Sequence, residues 1–322
     1  MIVLTGGAGF IGSVFLKKLN DNGIKDVLVV DELGSSDKWK NLVGKEYIDF
    51  VHKDEFMTLL DNEDFDKLTE AIIHLGACSS TTERDADFLM DNNHHYTSTL
   101  AEWAAENNVY FLYASSAASY GNGDQGFDDD PDKLITLRPE NMYGYSKHLS
   151  DLWSKRQEVF DVIASVKFFN VFGPNEYHKN AMRSMVHKAF EQIKETGKIK
   201  LFKSYKPEFK DGCQLRDFVY VKDVVDVMFW MLENRKTGLY NIGSGVTNSW
   251  IDLANAVFKA MGKEPEIEFI EMPEHMRDRY QYYTKANIKK LREAGYEKDF
   301  TSLEDAVDDY IKNYLENDYP FY

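Results

Sequence analysis

Residues 1–13, MIVLTGGAGFIGS, decide the fold. An apolar run over 1–5 gives way to Gly6, Gly7, Gly9 and Gly12, and apolar positions then recur through VFLKKL at 14–19. That order predicts a strand, a glycine turn and a helix. Gly6, Gly9 and Gly12 are spaced as GxxGxxG. Glycine permits a tight turn and close backbone approach, while the following helix aims unpaired amides and its positive end at a phosphate. The stretch therefore predicts a dinucleotide site.

Working outward, DVLVVD at 26–31 ends at Asp31, at the distance expected of one βαβ step. AIIHL at 71–75, VYFLY at 109–113 and VIASVKFF at 162–169 predict further strands, and 94–106 predicts a helix with Trp103 on its apolar face. Near-continuous apolar strands separated by helices favour a parallel sheet covered on both sides. The expected fold is α/β, a Rossmann-like doubly wound parallel sheet with a smaller, mostly C-terminal substrate domain. Residues 1–170 would form the nucleotide core, with 217–248 returning to it, and 171–216 and 249–322 would mainly hold substrate.

In the second half, a helix is expected over 181–195, followed by KSYKPEFKDG at 203–212 as a candidate substrate loop. DFVYV at 217–221, GLYNIGSG at 238–245 and EIEFIEMP at 266–273 read as strands, with the helix DVVDVMFWMLEN at 223–234 among them. SWIDLANAVFKAMG at 249–262 reads as a helix capped by Ser249 and stopped by Gly262. Two last helices are expected over 284–294 and 302–316. The acidic run Asp128, Asp129, Asp130 and Asp132 around Pro131 reads as a solvated loop, since adjacent carboxylates repel unless hydrated or paired.

The 322 residues carry Lys+Arg 38 against Asp+Glu 54, a formal charge of −16, which disfavours nucleic acid as a partner. Hydrophobic residues at 43% and aromatic residues at 14% supply a globular core. With only Cys78 and Cys213, a disulfide scaffold is excluded and a reducing, cytoplasmic setting is expected. The start reads as mature, with no basic leader, and no stretch suits a membrane crossing; VVDVMFWML at 224–232 is short and carries Asp226. No metal site is expected, because His94 and His95 stand adjacent without an HExxH pattern.

The chemistry is carried by YASSA at 113–117 and by Tyr143-Gly144-Tyr145-Ser146-Lys147. Tyr143 and Lys147 share one helix face at a spacing of four. The lysine can stabilise a tyrosinate, which can take a hydroxyl proton as hydride leaves the adjacent carbon, while Ser116 donates to the same oxygen. Asp31 suits adenosine ribose hydroxyls and so points to NAD, whereas Lys38 and Lys53 could neutralise a 2′-phosphate and so point to NADP.

GGAGFIG, YASSAASYG, NMYGYSK, KFFNVFGPNE and LRDFVYVKDV occur in the order found in the extended short-chain dehydrogenase/reductase family of sugar-nucleotide epimerases and dehydratases, which the chain resembles over nearly its whole length. LGACSSTTE at 75–83, MDNNHHY at 90–96, YHKNAM at 177–182 and RYQYYTKA at 279–286 resemble the ADP-heptose 6-epimerase branch. The resemblance implies an ADP-linked heptose as substrate, NADP in preference to NAD, a role in lipopolysaccharide core synthesis, and a homo-oligomer, commonly a pentamer. It places Gly6, Gly9, Phe10, Ile11 and Gly12 at the pyrophosphate, and Asp31, Glu32, Lys38 and Lys53 by the adenosine. Leu75, Gly76, Ala77, Cys78, Ser79, Asn92, Tyr143, Lys147, Val171 and Lys179 complete the implied cofactor site.

Ser116, Tyr143, Lys147 and Lys179 are the implied catalytic set. Lys179 would be a second acid/base group for the turned keto sugar; its usual pKa of ~10.4 requires desolvation or a nearby cation to lower it. Asn170, Ala181, Lys188, Phe202, Lys203, Ser204, Tyr205, Arg216 and Tyr280 join Ser116 as implied substrate residues, with Tyr177 and His178 as weaker ones. Arg216 has a guanidinium suited to pyrophosphate. Ala181 and Lys188 replace Ser and His of the enterobacterial form, and the 203–214 loop is longer, so the heptose pocket is expected to be built differently. The competing expectations are an epimerase or dehydratase for another nucleotide sugar, and a nucleotide-sensing binding protein that kept the fold.

Overall fold

In the strand Ile2–Thr5, Val3 packs into one hydrophobic cluster and Leu4 into another, because successive side chains leave a strand on opposite faces. The strands on either side repeat this: Ile72 and Val30 join Val3, while Ile73 and Val29 join Leu4. A sheet buried on both faces results, as the unbroken apolar runs require. The computed structural model describes residues 1–60, 65–277, 280–318 and 320–322.

The central sheet has seven strands in the order Gly238–Ile242, Ile163–Phe168, Tyr110–Ser116, Ala71–His74, Ile2–Thr5, Val27–Asp31 and Asp49–His52. Every pairing is parallel. Helices Phe10–Asp21 and Val221–Glu233 cover one face; Tyr96–Glu106 and Met142–Arg156 cover the other. The strand order reverses between Ile2–Thr5 and Ala71–His74, and in such sheets ligands bind in the crevice beyond the carboxyl ends at that point. This is the expected Rossmann-like fold, and the glycine turn opens into that crevice.

The smaller part is built largely from the second half of the chain. Helix Met185–Thr196 packs on Trp250–Ala260, which packs on Leu303–Tyr310, and Ile199–Phe202 pairs in parallel with Ile267–Ile270. Two further short pairs, Asn170–Phe172 with Phe218–Tyr220 and Leu215–Arg216 with Asn248–Ser249, connect it to the sheet.

Several expectations are corrected. The helix expected from 181 starts at Met185, because the Ser184 hydroxyl accepts the His187 amide and caps it there; Tyr177–Met182 is a separate 3-10 turn. Only Lys289–Glu293 of the stretch 284–294 is helical. The helix ending at Glu106 begins at Tyr96 and is preceded by a π-turn over Met90–His95. The edge strand Asp49–His52 lacks apolar alternation and escaped the pattern. The acidic run is not wholly solvated: Asp129 is 5% exposed and accepts the Asn241 amide at 2.9 Å. Ser249 caps the Trp250–Ala260 helix through a reciprocal capping box with Asp252. Arg279 of the RYQYYTKA stretch lies outside the described residues.

Candidate active site

Gly6 has φ +67, and a Cβ there would lie 2.5 Å from Gly76 N; a Cβ on Gly12 would lie 2.1 Å from Gly6 O. Glycine is therefore obligatory at both, and the turn closes with Gly9 N donating to Gly6 O at 2.9 Å. Gly9 caps helix Phe10–Asp21 with no side-chain bond, which leaves its first-turn amides for an anion. Thr5 fixes the neighbouring loop by accepting the Gly76 amide at 3.1 Å. Thr5 is itself held by a 2.6 Å bond with His74, an imidazole that burial pushes down to about 3 and keeps neutral.

The turn borders a cavity of about 540 Å³. Its walls include every expected cofactor residue: Gly6, Gly9, Phe10, Ile11, Gly12, Asp31, Glu32, Lys38, Lys53, Leu75, Gly76, Ala77, Cys78, Ser79, Asn92, Tyr143, Lys147, Val171 and Lys179. At one end, the buried Asp31 carboxylate accepts the Ala8 amide at 2.9 Å and pairs with Lys38 Nζ at 2.5 Å. Lys53 Nζ donates to Asn92 Oδ1 at 2.9 Å and pairs with Glu32 at 3.2 Å. Two lysines thus face two carboxylates where a nucleoside would sit.

At the other end stands the Ser116, Tyr143 and Lys147 set. Asn141 caps helix Met142–Arg156 by accepting the Gly144 amide at 2.8 Å. A Cβ on Gly144 would lie 2.7 Å from Ala118 O, so glycine lets the helix start close against the turn that follows Ser116. Tyr143 is thereby brought to the Ser116 hydroxyl; burial pushes the phenol up, and that hydrogen bond pulls it part of the way back. Lys147 is 2% exposed, and its Nζ has no hydrogen-bond partner among the described residues. Burial pushes Lys147 down to about 8, with Asp151 and Cys78 acting the other way. An unpartnered cation in the cavity wall, beside a glycine cradle and free helix amides, fits a dinucleotide with hydroxyls at one end and a pyrophosphate at its centre.

Lys179 reaches the same cavity from the Tyr177–Met182 turn, with Nζ 5.6 Å from the Phe10 ring centroid. Burial holds it below the ordinary lysine value, with Glu176 opposing. Tyr143 and Lys179 thus come to one space from separate segments.

Of the remaining substrate candidates, the structure brings His178 into this cavity and places the others outside it. Arg216, 6% exposed, lies 5.4 Å from the ring centroids of both Trp250 and Tyr280 and donates to Leu215 O and Gln281 O. Phe202 meets Tyr280 edge-on at 6.3 Å, and Trp250 Nε1 donates to Tyr280 Oη at 2.9 Å. Asn170 is linked to this ledge through Thr284, whose hydroxyl donates to Asn170 Oδ1 at 3.4 Å. Lys203 and Tyr205 are tied to Glu271, and Ser204 N donates to Asp211 at 2.7 Å. Ala181 is exposed, and the half-buried Lys188 is in the field of Glu176.

Sequence reasoning missed Thr5, Phe88, Tyr96, Ser115, Phe168, Phe169 and Met182 as cavity residues, and gave His178 little weight. It also passed over Asn93 beside Asn92. Asn93 is fully buried, accepts the Cys78 amide at 2.9 Å and donates to Ser146 at 3.1 Å, which joins the 75–79 loop to helix Met142–Arg156. Thr5, Ser115, Phe168 and Phe169 lie at or just after strand ends, a position that only the assembled sheet makes visible. Trp250 was read simply as helix.

The model of the NAD dependent epimerase/dehydratase family matches residues 2–243. The ADP-L-glycero-D-manno-heptose-6-epimerase of Nitratidesulfovibrio vulgaris is 52% identical over 322 residues, 100% of both chains. That of Fusobacterium nucleatum is 53% identical, covering 98% of each. The crystal structure of the Helicobacter pylori ADP-L-glycero-D-manno-heptose-6-epimerase superposes with a TM-score of 0.80 at 28% identity, over 97% of this chain and 95% of that one. A glycine cradle, a Ser–Tyr–Lys set and full-length identity of this order have one common source: the chain belongs to the NAD dependent epimerase/dehydratase family.

Proposed function

We propose that the protein is an ADP-heptose 6-epimerase, converting ADP-D-glycero-D-manno-heptose to ADP-L-glycero-D-manno-heptose through a 6-keto sugar. The observation that carries this reading is that two acid/base groups, Tyr143 and Lys179, line one cavity from different segments of a chain 52% identical to such an enzyme. A nicotinamide dinucleotide bound in the cavity supplies reversible acceptance of hydride from C6. Tyr143 takes the C6 hydroxyl proton in one orientation of the sugar, with Ser116 donating to the same oxygen and Lys147 stabilising the phenolate. Lys179, as the ammonium, gives that oxygen a proton once the keto sugar has turned its other face, and Tyr143 and Lys179 then regain their starting protonation by exchange with solvent. Burial lowers Lys179 from the ordinary lysine value, the direction an acid/base role requires. Reducing equivalents are neither gained nor lost.

The dinucleotide in this proposal is NADP. Lys38 and Lys53 stand beside Asp31 and Glu32, where their charge can meet a 2′-phosphate and offset the carboxylates that would repel it. The nucleotide of the substrate is assigned to the ledge of Phe202, Arg216 and Tyr280, with Asn170, Lys203, Ser204 and Tyr205 around it and Ala181 and Lys188 toward the heptose. Residues 1–170 and 217–248 carry the cofactor, and 171–216 and 249–322 mainly the substrate. A homo-oligomer in the cytoplasm completes the proposal; among the described residues, no helix is long and apolar enough to cross a membrane.

Substrate carrying deuterium at C6 tests the proposal. The label is expected to remain on C6 of the epimerised product. Its loss to solvent would contradict direct return and point to an enolising route.

A further inference from the structure

Residues 320–322 lie against the segment that delivers Lys179. Tyr177 Oη donates to Pro320 O at 2.5 Å, and its ring meets Phe321 edge-on at 5.3 Å. Tyr322 N donates to Asn175 Oδ1 at 2.9 Å, while Asn175 Nδ2 donates to Tyr322 O at 3.3 Å and to Ser13 Oγ at 2.9 Å. Ser13 belongs to the helix of the glycine turn. Lys45 Nζ donates to Tyr322 O at 2.5 Å, and Lys17 and Lys222 lie 5.4 and 4.9 Å from the Tyr322 ring centroid. Asn175 is fully buried and sits at φ +75, and Asn180 sits at φ +48, so left-handed residues bracket Lys179 on both sides. A conformation of that kind persists only where surrounding contacts over-determine it.

We propose that residues 320–322 are a clasp and that Asn175 is the positioning residue through which the clasp holds Lys179 in the cavity. This rests on the reading of Lys179 as the second acid/base group. Asn175 joins three parts of the chain at one buried amide: the helix after the glycine turn, the turn that carries Lys179, and the 320–322 segment. Tyr143 is held separately, by the Asn141 cap and Gly144. Loss of the clasp therefore affects the half of the cycle that uses Lys179 and spares the half that uses Tyr143.

Asn175→Gly removes the amide while tolerating positive φ, and Tyr322→Ala removes the ring anchor. In dinucleotide-free protein, the pH dependence of Lys179 acylation by an amine reagent, read by peptide mass spectrometry, reports how the amine is held. Glu176 beneath it, His178 beside it, Lys38 on the adjoining turn and Lys188 on the next helix are unchanged in both variants. The acylation midpoint is expected to rise toward that of an ordinary lysine in both. In the loaded enzyme, interconversion of the ADP-heptose C6 epimers is expected to fall at least about tenfold, as a displaced acid/base group requires. Dinucleotide affinity stays within about twofold, and only one of the two epimers still reduces the dinucleotide on mixing. An unchanged midpoint in both variants overturns the clasp. Lys179→Met, assayed in parallel, decides the reading beneath it: wild-type interconversion there rejects the second-base role, whatever the midpoint shows.

Discussion

Lys167 Nζ lies 2.5 Å from Asp151 Oδ2, and both side chains are completely buried. Asp151 follows Lys147 by one turn of helix Met142–Arg156, and its carboxylate also accepts from Tyr113, Ser115 and Ser165. Lys167 donates to Ser119 as well, in the turn behind Ser116. The pair thus ties that helix to the strand ends beneath it. Removing one member leaves a buried charge uncompensated, so Lys167→Met is expected to destabilise the fold by ~3–5 kcal/mol. Lys167→Met combined with Asp151→Leu should cost less than the sum of the two. Urea denaturation of the two singles and the double measures this; additive losses would mean that the groups do not act as a pair.

Lys147 gives a stability signal that depends on pH. Its folded value of about 8 lies below the ~10.4 of an unfolded chain, so at neutral pH the folded state bears a buried ammonium. Between about 8 and ~10.4 the unfolded chain holds more protons than the folded one, and stability rises with pH across that window. In protein freed of dinucleotide, Lys147→Met is expected to be more stable than wild type at pH 7, by up to about 3 kcal/mol. The advantage should shrink as pH rises through the window. A constant difference from pH 7 to 10 would show that Lys147 does not titrate there.

Tyr143→Phe keeps the ring beside Ser116 and removes the proton carrier. Turnover at saturating substrate is expected to fall by ~10²–10⁴, with substrate and dinucleotide affinity little changed. A defect confined to KM would assign Tyr143 to binding alone.

Lys38→Ala leaves Asp31 without its 2.5 Å partner. Affinity for NADP is expected to fall about tenfold or more, and affinity for NAD to change much less, because a charge-assisted bond to a phosphate is lost and a bare carboxylate remains. Fluorescence titration with each dinucleotide measures the ratio. Equal losses would remove Lys38 from the choice between them.

The sheet was legible because its strands are apolar runs and its first turn is spelled in glycine. Asp49–His52 was not, since an edge strand half open to water needs no such run. The dinucleotide cavity could be read largely from motifs, as its walls are the loops directly after the strands. The ledge around Arg216 was different: Arg216 and Tyr280 were named, but their sandwich with Trp250 depends on packing between segments 30 or more residues apart. The role of Asn175 was invisible for the same reason, because its partners Ser13 and Tyr322 lie 162 and 147 positions away.

The central claim is that this chain inverts C6 of an ADP-linked heptose. Purified protein incubated separately with ADP-D-glycero-D-manno-heptose and with ADP-L-glycero-D-manno-heptose, followed by assignment of product stereochemistry, tests it most directly. The two incubations are predicted to converge on the same mixture of both epimers, with no net consumption of dinucleotide and no loss of water from the sugar. Failure of either epimer to convert, or accumulation of an oxidised or dehydrated sugar, would contradict it.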